Sequence, residues 1–346
     1  MIELGVGMFG DVQIDEKRGY IQSAGDRMRE ILQEVKRMDE VGLDFFGMGE
    51  HHRVDYAVAA PEIFLAAAAS ITKNIKLGSA VSVLSSADPV KLYQDFAMVD
   101  LLSDGRAEIM AGRGSFIESF PLFGQDLKDY DALFDEKLRL LLQLNENKEI
   151  TWQGEFRPPL HKQEIFPHPK NNNIPIWVAV GGTPASAIRA GKLGLPLIIA
   201  IIGGTVDRFL PLVEYYKQAW QDAGHSMEDY QLGVHMHAFF GEDTKEVQDW
   251  YYPYYSKQMD RIGRSRNWPP YHRQQYDFGL SPMGHLIVGD AEYAVEKIVN
   301  AIEMLGVTRF SAHMDVGAPD HAQMMKSIEI FGERIAPAVR SALQKN

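Results

Sequence analysis

Two rhythms alternate along this chain: short, almost continuous apolar runs, and longer stretches in which apolar positions fall three or four apart. The first is the mark of a buried strand, the second of a helix with one buried stripe. Residues 2–8 read as a strand, and the capping sequence Ser23-x-x-Asp26 opens a helix to about Val41 whose apolar stripe is Met28, Ile31, Leu32, Val35, Met38 and Val41. The alternation then repeats. Leu43 to Met48 predicts a strand, Pro61 to Ser70 a helix, and Ile75 to Val83 a strand. Asp88-Pro89 supplies a cap and a first-turn proline for the next helix, which stops near Asp104-Gly105. Ala107 to Ala111 is a fourth strand and Tyr130 to Leu144 a leucine-rich helix. Ile176 to Val180, Leu197 to Ile202, Gln231 to Phe240 and Thr308 to Met314 complete the strands. Helices are expected between and after them near 185–193, 206–223, 243–262, 290–304 and 320–335.

Eight strand–helix alternations over 346 residues predict an α/β chain folded as a (β/α)8 barrel in one domain, 1–346. An open doubly wound sheet is the competing architecture, and the strand count favours the barrel. Two stretches interrupt the pattern. Residues 146–175 contain Trp152-Gln-Gly-Glu-Phe156, which suggests a hairpin, and residues 252–285, rich in Tyr, Arg, Pro and Trp, read as a long aromatic loop of the kind used as a lid or a subunit contact.

Composition narrows the partners. The net charge of −12, with no basic run, disfavours nucleic acid and anionic membranes. The absence of cysteine removes disulfides, thiolate nucleophiles and cysteine-ligated zinc. The amino terminus lacks a basic region followed by a long apolar stretch, and no apolar run approaches membrane-spanning length, so a soluble cytoplasmic protein acting on small molecules is expected.

Three clusters carry candidate chemistry. Glu50-His51-His52 follows the second strand, where barrel enzymes keep their active sites. Side chains alternate along a strand, so Gly47, Gly49 and His51 share one parity. The glycines would clear space for a flat ligand beside His51, the preferred general acid/base. Arg113 stands between Gly112 and Gly114 just past the fourth strand, suited to bidentate phosphate binding. Ile176-Trp-Val-Ala-Val-Gly-Gly-Thr-Pro-Ala-Ser186 gives a strand, a glycine pair and a helix start, whose amides, with the Thr183 and Ser186 hydroxyls, could cradle an anion. Each cluster also has an ordinary reading: histidines bonded to loop carbonyls, a surface arginine, a simple turn.

These clusters in this order resemble the bacterial luciferase-like monooxygenase family over nearly the whole chain, most of all its uncharacterised single-gene oxidoreductase members. The most diagnostic stretch is Ile75-Lys-Leu-Gly-Ser-Ala-Val-Ser-Val-Leu-Ser-Ser-Ala-Asp-Pro-Val90 followed by Asp100-Leu-Leu-Ser-Asp-Gly-Arg106. The resemblance implies an FMN-binding TIM barrel, usually a homodimer, in which reduced flavin and O2 oxidise a small organic substrate. A separate NAD(P)H-dependent flavin reductase would supply the reduced FMN. It implies a catalytic His51 flanked by Glu50 and His52, a flavin phosphate held by Arg113, Gly181, Gly182, Thr183 and Ser186, and a ring lying near Met8, Ala80 and Val81. A non-proline cis peptide is implied in the Ser79-Ala80-Val81 region. Two departures limit the transfer: Gly112 stands where bacterial luciferase has a reactive cysteine, and Gly181-Gly182 replaces the family's acidic residue at the start of the phosphate loop. Light emission and a long-chain aldehyde substrate are therefore not implied.

Other readings compete. Gly5-Val-Gly-Met-Phe-Gly10 has dinucleotide-site spacing, but the polar Asp11 to Gly25 after it is not the helix such a site needs. His235-Met-His237, with His313, Asp315 and His51, could build a metal-dependent hydrolase. The two histidines could equally be satisfied core or flavin-pocket residues. A deazaflavin-dependent hydride-transfer enzyme and a flavin-binding protein without turnover complete the alternatives.

Overall fold

In the computed structural model, which describes residues 2–114 and 116–344, eight parallel strands close into a barrel. They are β1 (Glu3–Met8), β2 (Phe45–Met48), β3 (Lys76–Ser79), β4 (Ala107–Gly112), β5 (Ile176–Val180), β6 (Leu197–Ile201), β7 (Leu232–Phe240) and β8 (Arg309–His313). Each strand pairs with the next in sequence, Ile176 of β5 lies opposite Ile109 of β4, and β8 returns to β1 with Arg309 opposite Glu3. A sheet closed in this way is a barrel, and the open doubly wound alternative falls.

Local chemistry explains the elements. Ser23 caps the helix Ala24–Glu40 by accepting from the Asp26 amide at 3.0 Å, and Asp88 caps Pro89–Leu102 through the Val90 amide at 2.9 Å. The period of two along each strand then divides the interior. Leu4, Val6 and Met8 face outward into the main core with Ile31, Val35 and Met38 of the first helix. Inside the ring, Ala80, Met110, Trp177 and Ile198 form a small apolar layer of their own.

Beneath that layer, at the amino-terminal ends of the strands, Arg309 fills the barrel. Its guanidinium meets Glu108 at 2.6 and 3.0 Å and Glu3 at 2.7 Å, with Trp177 and Phe45 rings 4.1 and 4.5 Å away. Above it, at the carboxyl ends, the ring remains open.

The expected third strand breaks after Ser79 at a cis Ala80–Val81 peptide and resumes as Ser82–Val83 beside the end of β4. The 146–175 segment contains the expected hairpin, Glu149–Trp152 against Leu160–Glu164. Residues 252–285, however, are not a long loop. The helix Thr244–Ser265 runs through Pro253, a second helix covers Arg273–Leu280, and Ile287–Gly289 adds a short strand to the far end of β7. Of the aromatic residues that suggested a lid, Tyr255 and Tyr276 are buried, whereas Trp268 and Phe278 are exposed. Among the described residues no helix is long and apolar enough to cross a membrane.

Candidate active site

A cavity of about 420 Å³ opens at the carboxyl ends of the strands, a size suited to a small organic ligand or cofactor. Glu50, His51 and His52 line it just past β2, Ala80 and Val81 past β3, Arg113 past β4, and Gly181 and Thr183 past β5. Residues more than a hundred positions apart thus share one space.

The three residues after β2 do different things. Glu50 is fully engaged: Oε2 accepts from the Val83 amide at 2.7 Å, and Oε1 lies 3.0 Å from His52 Nε2. It therefore fixes the chain just past the cis peptide and orients His52. His51 stacks on Tyr56 at 4.2 Å, touches Phe9 at 4.6 Å and meets Phe116 edge-on at 5.4 Å. Its Nε2 is buried without a partner among the described residues. Gly49 makes this arrangement possible, since a Cβ there would stand 2.8 Å from the Phe9 ring and 3.1 Å from His51 Nε2.

The anion corner forms around Arg113. Its guanidinium pairs with Asp131, lies 3.5 Å from Thr183 Oγ1, and packs 5.1 Å from the centre of the Tyr130 ring. The Tyr130 hydroxyl donates to the Gly114 carbonyl at 2.9 Å, which ties the loop after β4 to the helix Tyr130–Glu146. Thr183 stands at the N-cap position of the helix Pro184–Lys192 without a side-chain cap bond, and among the described residues nothing lies within 4 Å of where a Cβ would stand on Gly181 or Gly182. Open backbone at a helix start suits an anion. Gly112 has no such room: a Cβ would meet Val81 Cγ2 at 2.5 Å, so a cysteine could not replace it without displacing Val81.

Three expected positions sit elsewhere. Met8 is fully buried on the outer face of β1 and does not line the cavity; the same alternation that clears Gly5 and Gly7 inward turns Phe9 to the ligand side instead. Gly182 is next to the cavity wall formed by Gly181 and Thr183 rather than in it. Ser186 is buried and off the wall, and its Oγ has no partner among the described residues. Phe116 and Tyr130 line the cavity and escaped notice, since no local pattern marks a ring supplied by a loop or a helix start. Phe9 was legible from the glycine parity.

The metal reading gains one group, Asp11, His313 and Asp315, whose ligand atoms lie within 4.8 Å of one another. The carboxylates of that group are already used. Asp315 accepts the Phe9, Gly10 and Asp11 amides at 3.1, 2.8 and 3.2 Å, contacts His313 Nε2 at 3.1 Å, and lies 3.9 Å from the Arg27 guanidinium. Asp11 accepts the Gly317 amide at 2.8 Å. A cation would have to displace these donors beside a fixed positive charge, so the group acts as the pin that holds β1's end to β8's.

Burial governs the imidazoles. It pushes the His51 pKa down to about 3, with the neighbouring His313 adding to the effect, and His285 down to about 4. His235 and His237 are lowered in the same way. Each ring takes a proton near pH 6.5 when unfolded but only far below that when folded. Their contribution to stability is therefore complete above about pH 6.5 and falls as pH drops from there towards 3. Burial and Asp315 raise the Asp11 pKa, and Glu34 raises that of His321; these two act in the opposite sense and are outnumbered. Thermal unfolding at pH 8, 6.5 and 5 should show the midpoint holding and then dropping. A midpoint unchanged down to pH 5 would mean that the rings are hydrated.

The sequence profile of the luciferase-like monooxygenase family matches residues 6–309. The chain is 21% identical over 332 residues to the alkanal monooxygenase alpha chain of Aliivibrio fischeri, covering 88% of this chain and 91% of that one. Among solved structures it is similar to the monooxygenase RslO1 from Streptomyces bottropensis, with a TM-score of 0.83, 22% identity, and 97% and 99% of the two chains covered. The oxygenating constituent of 3,6-diketocamphane monooxygenase of Pseudomonas putida, in complex with FMN, gives a TM-score of 0.76 at 20% identity over 97% and 98%. An F420-dependent secondary alcohol dehydrogenase gives 0.77 at 18% over 98% and 99%. At these identities the structural likenesses establish the fold; the profile match across most of the chain establishes that this protein belongs to the luciferase-like monooxygenase family.

Proposed function

We propose that this chain is an FMN-dependent monooxygenase, one domain over 1–346, that uses reduced flavin and O2 to oxidise a small organic substrate. The observation that carries the reading is that one cavity is lined both by His51, with an unpaired Nε2, and by the Arg113–Thr183 corner, with open backbone at Gly181. A phosphate at that corner, reaching Thr183 and the start of the helix Pro184–Lys192, would leave the flat ring system over the apolar floor of Phe9, Ala80 and Met110. Bound reduced FMN would supply the activation of oxygen. The protein's own residues orient the ring, exclude water through Phe116, Val81 and Ile198, and manage a proton at His51 Nε2.

The reading calls for a separate NAD(P)H-dependent flavin reductase as electron donor, and so for the cytoplasm. It also calls for a homodimer. Ile63 on Pro61–Ala69 and Met98, Leu101 and Leu102 on the adjacent Pro89–Leu102 are exposed and apolar, which suits such pairing.

A second reading, hydride transfer with a deazaflavin, is favoured by the F420-dependent neighbour and by the same anion corner, which suits either cofactor's phosphate. Anaerobic titration with FMN and with F420, followed by admission of air and a metabolite screen, separates the two. Tight FMN binding with oxygen-dependent product supports the first; F420 binding with oxygen-independent turnover replaces it. Arg113→Ala should weaken FMN by about ten- to a hundredfold, the scale of a charge-assisted contact, while leaving riboflavin within about twofold. Equal losses for the two would remove Arg113 from the phosphate.

A further inference from the structure

β7 carries His235 into the barrel, where it is 8% exposed and lines the cavity. Its Nδ1 lies 3.0 Å from Ser311 Oγ on β8, which sets the ring plane. Its Nε2 is buried and has no partner among the described residues. A lone buried nitrogen is costly unless something completes it.

The fold makes deliberate room for this ring. A Cβ on Gly7 of β1 would stand 2.6 Å from His235 Cε1 and 3.0 Å from Nδ1, so only glycine at that position lets the imidazole lie across the barrel. Phe9 stacks on it at 5.9 Å with 16° between planes, and His313 lies 4.9 Å away. By contrast His237, on the same face of β7, has its Nδ1 2.9 Å from the Tyr255 hydroxyl and does not line the cavity. Of the two histidines, only His235 both lines the cavity and keeps a ring nitrogen unpaired among the described residues.

Burial and the neighbouring His313 keep the His235 ring neutral. With Nδ1 engaged by Ser311, Nε2 is a donor in one tautomer and an acceptor in the other. A carboxylate or phosphate could answer only the first, an ammonium only the second. A neutral imide, with two carbonyl oxygens flanking one N–H, answers both.

We infer that His235 Nε2 contacts the imide edge of the flavin ring, holding the ring from β7 while its phosphate is held beyond β4 and β5. The inference rests on the flavin reading above and names a residue for the ring rather than the phosphate. Flavins and deazaflavins share this edge, so His235 serves either cofactor and does not choose between them.

Fluorescence titration of riboflavin, 3-methylriboflavin and FMN into the wild-type protein, His235→Phe, His235→Gln and Arg113→Ala tests it. The wild type should bind riboflavin about tenfold more tightly than 3-methylriboflavin, whose imide nitrogen is blocked, the scale of one hydrogen bond. His235→Phe should lose about tenfold for riboflavin and FMN alike and no longer distinguish the methylated flavin. His235→Gln, which keeps a donor and an acceptor, should recover the preference, and it decides the matter if the phenylalanine variant does not fold. A wild-type protein indifferent to the methyl group, or a His235→Phe variant that folds and keeps the full preference, overturns the inference. The FMN-to-riboflavin ratio of Arg113→Ala reports on the phosphate corner separately, so the wider reading can stand when this contact fails. Absence of any flavin binding by the wild type overturns both.

Discussion

His51→Ala should lower turnover of a substrate found by the metabolite screen by about a hundred- to ten-thousandfold, the range for loss of a positioned acid or base. The magnitude follows from how the ring is held. Tyr56, Phe9 and Phe116 fix the imidazole on three sides, and its Nε2 has no competing partner among the described residues, so a reacting group meets it already oriented. Burial holds its pKa down to about 3, so it meets the reacting group as a neutral hydrogen-bond donor or acceptor and passes on at once any proton it takes. One consequence distinguishes this role from a merely structural one: His51→Gln should retain substrate binding better than rate. Turnover should also show no ionisation near pH 6.5 assignable to His51. Unchanged turnover in His51→Ala would remove the assignment.

Arg309→Ala should cost about 3–5 kcal/mol of stability, the usual penalty for removing one partner of a buried ion pair. Glu108 is buried and meets Arg309 in a two-pronged contact at 2.6 and 3.0 Å, so its removal leaves that carboxylate in the barrel floor with only the more distant Lys76, 3.4 Å away, as a cation among the described residues. Glu3 loses a 2.7 Å contact, and the Trp177 and Phe45 rings lose the flat group packed 4.1 and 4.5 Å from them. The double variant Arg309→Met with Glu108→Leu should recover most of the loss, because it removes both charges and fills the space. Denaturant unfolding measures both. A single variant within 1 kcal/mol of wild type would mean that water reaches Glu108 and solvates it.

The sequence already contained the barrel, because each strand and helix is specified locally. The spacing of Met28, Ile31, Val35 and Met38 makes a helix stripe wherever the chain goes, and the caps Ser23 and Asp88 act on amides two or three residues away. The same locality made the His51 parity readable from Gly47 and Gly49, and would have pointed to Phe9 rather than Met8 had the rule been carried to β1. The helix expected near 243–262 is present and runs through Pro253, but the next helix, Arg273–Leu280, was hidden by an aromatic and proline-rich composition that resembles a loop, whereas packing against other elements buries its Tyr276. Pairings that span the chain were beyond the reach of any pattern. Glu50 lines the cavity and also binds the Val83 amide; Arg309 finds Glu108; and Gly7 yields its space to His235. Local periodicity and capping thus determined which segments become strands and helices, since those depend on neighbours in the chain. Which side chains meet, which nitrogens stay unpaired and where the ligand space lies were decided only when closure of the ring brought eight strands to one axis and excluded water between them.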